Sequence, residues 1–137
     1  MAHAGQVIEG RDGFRLTLLE TGEERLVMEA SYSGEGPLPP LHHHPSQTEQ
    51  FEVLDGAMLT VIGDDERRYD AGESFEVPPG TPHQMAAVDG PARMRWTVTP
   101  ALRTAEFFER LHDAMVREDG PALGALIEEF QAEVRFG

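Results

Sequence analysis

From Gln6 to Thr99 apolar and polar residues alternate in short runs. In FRLTLLE, Phe14, Leu16 and Leu18 are separated by Arg15 and Thr17; in QFEVL, Phe51 and Val53 flank Glu52; in MRWTV, Met94, Trp96 and Val98 enclose Arg95 and Thr97. A period of two puts alternate side chains on one face of an extended strand. The runs are bounded by turn formers: Asp-Gly at 12–13, 55–56 and 89–90, Gly-Asp-Asp at 63–65 and Pro-Pro-Gly at 78–80. Short alternating strands with regular turn signals predict a mainly β fold, an antiparallel sandwich or barrel. Pro37, Pro39 and Pro40 lack the N–H a central strand needs, so that stretch is expected to be a loop leading into a strand near Leu41.

After Pro100 the period changes. Phe107, Phe108, Leu111, Ala114 and Met115 recur at helical spacing, and so do Leu123, Leu126, Ile127, Phe130 and Val134. Gly120 suits a helix terminus and Pro121 the first turn of a following helix, so Asp119 to Pro121 marks the joint of a helical hairpin. The expected organisation is a β-barrel over residues 1–100, then a hairpin over 101–137. Both belong to one domain, and the apolar stripes are expected to lie against the outside of the barrel or against a second subunit.

A chain of 137 residues can bury a core without disulfides or a structural metal. It is 39% hydrophobic and 26% charged, as soluble globular chains are. A formal net charge of −14 opposes binding to phosphate backbones and anionic lipid, so neither nucleic acid nor membrane is an expected partner. No apolar run approaches the roughly 18 residues of a membrane span. There is no cysteine, hence no thiolate chemistry, and MAHAGQVIEG has neither the basic nor the apolar region of a secretory signal. These features fit a cytoplasmic protein.

The chemistry lies in GPLPPLHHHPSQTEQFEVLDG, residues 36–56. On an extended strand His42 and His44 share a face while His43 points away. Glu49 shares a face with Phe51 and Val53, which should be buried. A carboxylate among inward apolar residues is costly without a cation or donor beside it. His83, just past the Pro-Pro-Gly turn, can face these residues across a closed barrel. Three neutral imidazoles and a carboxylate form a mixed nitrogen and oxygen set suited to one divalent transition metal ion, Fe, Mn, Ni, Cu or Zn. Gln50 and Glu52 have the wrong parity to replace Glu49, and His112 reads as a packing or surface residue on the first helix.

These spacings resemble those of the cupins. Gly36, His42, His44, Glu49 and Gly56 match the family's first motif, and Gly72, Pro78, Gly80 and His83 its second. Ala87 stands where that motif carries asparagine. The resemblance implies a cupin-type antiparallel barrel of jelly-roll form, with His42, His44, Glu49 and His83 at the metal-ligand positions. Residues expected to line the barrel around the metal are Met58, Thr60, Phe75, Met85, Met94 and Trp96, a mainly apolar set suited to an apolar or aromatic small molecule. Resemblance to small quercetinase-like cupins implies a metal-dependent dioxygenase in which Glu49 doubles as proton acceptor. Other single-domain cupins suggest a non-oxidative cyclase or isomerase, or a binding module without catalysis. Family habit and the need to cover exposed strands imply a homodimer.

Overall fold

The computed structural model describes residues 2–34 and 38–136; Gly36 and Pro37, named above, lie outside the described residues. In chain order the elements are β1 (Val7–Glu9), β2 (Arg15–Glu20), β3 (Leu26–Tyr32), β4 (His42–His43), β5 (Thr48–Asp55), β6 (Ala57–Ile62), β7 (Asp65–Asp70), β8 (Ser74–Val77), β9 (His83–Ala87), β10 (Ala92–Thr99), α1 (Thr104–Val116), α2 (Gly120–Glu129) and β11 (Arg135–Phe136). The strands form two antiparallel sheets. One has the order β1-β2-β3-β10-β5-β8, the other β11-β4-β9-β6-β7. Pro39 and Pro40 lie in irregular chain and β4 starts at His42, as the missing proline N–H groups require.

Strand register stacks the inward side chains in layers. Glu49 pairs with Val98 and Val77, Phe51 with Trp96 and Phe75, and Val53 with Met94. In the facing sheet His83 pairs with His42 and Ile62, Met85 with Thr60, and Ala87 with Met58. The inward set from Phe51 to Met94 forms one apolar cluster between the sheets. Gln50, Glu52, Arg93 and Arg95 take the outer face, where Arg93 pairs with Asp55 and Glu29.

The helical pair joins at the expected place. Asp119 caps α2 by accepting the Ala122 N–H at 3.1 Å, and Pro121 occupies its first turn. Its stripes do not lie on the outside of the barrel. Phe107, Phe108, Leu126, Phe130 and Val134 pack with Leu16, Leu18, Leu26, Met28 and Val98, which share the inner face of the six-stranded sheet with Glu49. The helices therefore cover the half of that face which the five-stranded sheet leaves bare. Burial of each large side chain there contributes about 1.5–3 kcal/mol, which fixes the hairpin to its own barrel. Trp96 sits at the seam, stacked on Phe51 and touching Phe108.

Gly56 joins β5 to β6 with φ +74°, and a Cβ there would collide with the Pro91 carbonyl oxygen and Ala92. Gly56→Ala is expected to cost about 2 kcal/mol or more, from the left-handed backbone and the clash together, read as a drop in chemical-denaturation midpoint.

His112 is buried against Phe14 and Phe108, and this burial lowers its pKa from 6.5 to about 4. Between those values the unfolded chain takes up a proton that the folded chain refuses. The corresponding stability is intact above pH 6.5 and is lost as pH falls toward 4. The whole effect is worth at most about 3 kcal/mol. His112→Phe should flatten this part of the stability profile relative to the parent, measured by denaturation from pH 7 to 4.

Candidate metal centre

The site occupies one end of the barrel. β4 and β9 bring His42 beside His83, and the chain leaving β4 carries His44 to the same side. β5 supplies Glu49 from the opposite sheet. The Pro-Pro-Gly turn is tied in as well: Gly80, at φ +76°, donates its N–H to the His44 carbonyl at 2.8 Å. His42, His44 and His83 each offer a ring nitrogen, all within 4.8 Å of one another. His44 and His83 are buried and His42 is half-buried, so His42 is the most exposed of the three rings.

Each ring is oriented by its other nitrogen. Nδ1 lies against the Pro40 carbonyl in His42 (3.1 Å), the Glu133 carbonyl in His44 (2.8 Å) and the Thr81 carbonyl in His83 (2.9 Å). A carbonyl oxygen only accepts, so Nδ1 carries the proton in all three and a neutral ring presents a bare lone pair at Nε2. Such backbone contacts are the usual outer support of a metal-ligating histidine.

Glu49 has no exposed surface. Its Oε1 lies 3.1 Å from His44 Nε2 and 2.9 Å from His83 Nε2, while Oε2 accepts the Trp96 Nε1–H at 2.7 Å. His44 Nε2 and Glu49 Oε1 are both buried, yet neither finds a well-aligned hydrogen bond among the described residues. Three electron-rich atoms facing one another repel, and a proton or a metal ion between them relieves that repulsion. The residues therefore fit a metal ion.

The electrostatics agree. Burial alone would raise the Glu49 carboxyl, but His44 and His83 hold it down to about 2. Burial would lower His44, but Glu49 outweighs it and raises that ring above its ordinary value. His42 falls to about 4 because of burial first and His83 second.

The residues expected around the metal fall into two layers. Thr60, Phe75, Met85 and Trp96 occupy the layer next to the three histidines and Glu49, and Met58 and Met94 the one beyond it, both without exposed surface. The Thr60 hydroxyl donates to the Arg67 carbonyl. Ala87, at the motif's asparagine position, packs against the apolar cluster that includes Met58. His43, read as an outward-facing residue, is half-buried with Nδ1 buried and unpartnered among the described residues. A groove of about 460 Å³ beside Gln50, Glu52, Glu76 and Arg95 lies on the outer side of the sheet, away from Glu49.

Three contributors escape the strand pattern. Gln47 is buried, and its amide nitrogen shares its two N–H groups among the carbonyls of Pro100 and Ala101 and the Thr104 hydroxyl, tying the His44–Thr48 turn to α1. The Glu133 carbonyl and Phe136, whose ring lies 5.9 Å from that of His42, come from the chain end. No motif signals them, because a backbone carbonyl carries no residue identity and a two-residue strand carries no period.

Two antiparallel sheets closing on a histidine-rich end define a small double-sheet β-barrel with a metal-type site. The family model described as Cupin domain matches residues 28–100, just over half of the chain, and the chain belongs to this family. Solved structures agree on the fold. An RmlC-like cupin from Shewanella frigidimarina is 20% identical, with 71% of this chain and 85% of that one covered at a TM-score of 0.63. KdgF from a Halomonas species is 17% identical, with 73% and 90% covered and a TM-score of 0.63. PAC13 from Streptomyces, solved with uridine, is 18% identical, with 71% and 76% covered and a TM-score of 0.58. No curated protein sequence matches the chain. Among the described residues no helix is long and apolar enough to cross a membrane.

Trp96→Phe keeps the ring packing on Phe51 and Phe108 but removes the donor that anchors Glu49. Metal affinity should fall about 10- to 100-fold by chelator competition, with little change in fold. An affinity within twofold of the parent would remove Trp96 from this role.

Proposed function

We propose that His42, His44, Glu49 and His83 hold one divalent transition metal ion (Fe, Mn, Ni, Zn or Cu), and that the protein is an oxidoreductase, a dioxygenase acting on an apolar or aromatic small molecule. The observation that carries the reading is the grouping of one ring nitrogen from each of His42, His44 and His83 within 4.8 Å, with the His44 and His83 Nε2 atoms 3.1 and 2.9 Å from the buried Glu49 Oε1 and each Nδ1 engaged elsewhere. Bound there by these four residues, the metal would supply a Lewis-acid or redox centre.

The chain's own residues do the rest. The half-buried side of His42 is the proposed entrance. Thr60, Phe75, Met85 and Trp96 form the proposed inner wall, with Met58 and Met94 behind it, and this apolar lining excludes water and favours an apolar substrate. Trp96 holds Oε2 of Glu49, leaving Oε1 as the oxygen able to take a substrate proton once it swings from the histidines. The substrate meets its protein in the cytoplasm, and two copies of the chain pair through barrel edges.

The filled layer behind the ligands favours a second reading. With Met58 and Met94 wholly buried, a small molecule binds at the mouth. That supports a non-oxidative cyclase or isomerase, or small-molecule binding without catalysis. Oxygen uptake separates the readings: protein loaded with iron, manganese or nickel should consume oxygen with flavonols, catechols or diketones. Turnover under strict anaerobiosis identifies the non-oxidative enzyme, and absence of turnover with any metal the binding module.

Elemental analysis of protein expressed without added metal should find about one transition metal ion per chain. The doubly substituted His42→Ala, His44→Ala protein should lose that metal yet keep its circular dichroism and cooperative unfolding, because the barrel core does not depend on these rings. An unfolded double variant would make the metal structural.

A further inference from the structure

The ligands belong to the barrel, yet the end of the chain reaches them from two sides. Beyond α2 the chain turns back, with the Val134 N–H bonded to the Phe130 carbonyl at 2.9 Å and both side chains buried in the helical half of the core. Arg135 and Phe136 then pair antiparallel with β4, Phe136 opposite His42 and Arg135 opposite His43. Within the first of these anchors, just before Val134, lies Glu133, itself buried at 5% exposure. Its carboxylate accepts the Arg103 N–H at 3.2 Å, and its carbonyl accepts His44 Nδ1–H at 2.8 Å.

The two contacts of Glu133 are mechanically linked. Arg103 flanks the N-terminus of α1, where backbone N–H groups lack helical partners and negative charge is favoured. Docking the carboxylate there fixes the Glu133 backbone, and the carbonyl is fixed with it. That carbonyl decides which His44 nitrogen is bare. With the proton on Nε2 instead, His44 would donate toward Glu49 Oε1, only 3.1 Å away, satisfying both groups and closing the centre to a metal.

We propose that residues 133–136 are a positioning strap for the metal centre: the Glu133 side chain docks on α1, its carbonyl holds His44 as the Nδ1–H tautomer, and β11 clamps the edge that carries His42. This rests on the metal reading above, but its first test needs no metal. In ¹⁵N-edited NMR of the imidazole rings at alkaline pH, with no metal added, His44 should show a protonated Nδ1. Glu133→Ala should shift it toward the Nε2–H form, and Glu133→Gln, whose amide oxygen still accepts the Arg103 N–H, should restore the parent signature. With cobalt(II) as probe, Glu133→Ala should bind about 10- to 100-fold more weakly and Glu133→Gln within about threefold of the parent. A chain ended after Val134, lacking β11 but keeping Glu133, should stay folded and release cobalt several-fold faster.

A parent His44 protonated at Nε2 overturns the proposal. So does a folded Glu133→Ala protein with unchanged tautomer and affinity, and cobalt release from the shortened chain at the parent rate removes β11 from the strap. If the parent takes up no cobalt while the ring signature and its response to Glu133→Ala appear as expected, the metal reading fails and the His44–Glu133 coupling stands.

Discussion

A carboxylate with no exposed surface has to be compensated, and the arrangement around Glu49 is the structure's answer. Moving such a charge out of water costs several kcal/mol unless partners replace the lost hydration. Among the described residues Glu49 has three side chains in reach: Trp96 on one oxygen, His44 and His83 on the other. They come from different parts of the chain and from both sheets, so the site forms only when the barrel closes. Removing one member leaves the others less well partnered, a local cost at one end of the barrel, while the apolar clusters that hold the sheets and helices together contain neither Glu49 nor the two histidines.

The same inner face serves two purposes. One half meets the five-stranded sheet and carries Glu49; the other half meets the helical pair. Trp96 lies where the halves join, giving its ring to Phe51 and Phe108 and its N–H to Glu49. Gln47 repeats the theme, anchoring the turn after His44 to the start of α1. The helices are therefore part of the mechanical frame of the centre. Their exposed Arg103, Arg110, Glu106 and Glu129 network adds little stability by comparison with the buried phenylalanines beneath it.

Much of this was legible in the residues. The alternation around Leu16 and Leu18, Phe51 and Val53, and Met94 and Val98 reads clearly because those stretches have one buried and one more exposed face, and the same parity placed Glu49 inside and Gln50 and Glu52 outside. The helical joint at Asp119 to Pro121 was equally readable, since a cap and a proline act locally. β7, reading Asp-Glu-Arg-Arg-Tyr-Asp, could not be seen this way: it is an edge strand with almost nothing to bury, so its sequence carries no period. β11 is too short to carry one. The helical stripes were read as needing a partner, but nothing in them could say that the partner was the inner face of their own barrel.

The sequence alone determined which residue types could hold a metal ion and which face of each strand they occupy, because parity and ligand chemistry are local properties. Tertiary structure decided the rest: which nitrogen of each histidine is free, how Trp96 orients Glu49, and that Glu133 near the chain end supports His44. Those outcomes depend on directional contacts between backbone and side chains far apart in sequence, and directionality exists only after the sheets have closed.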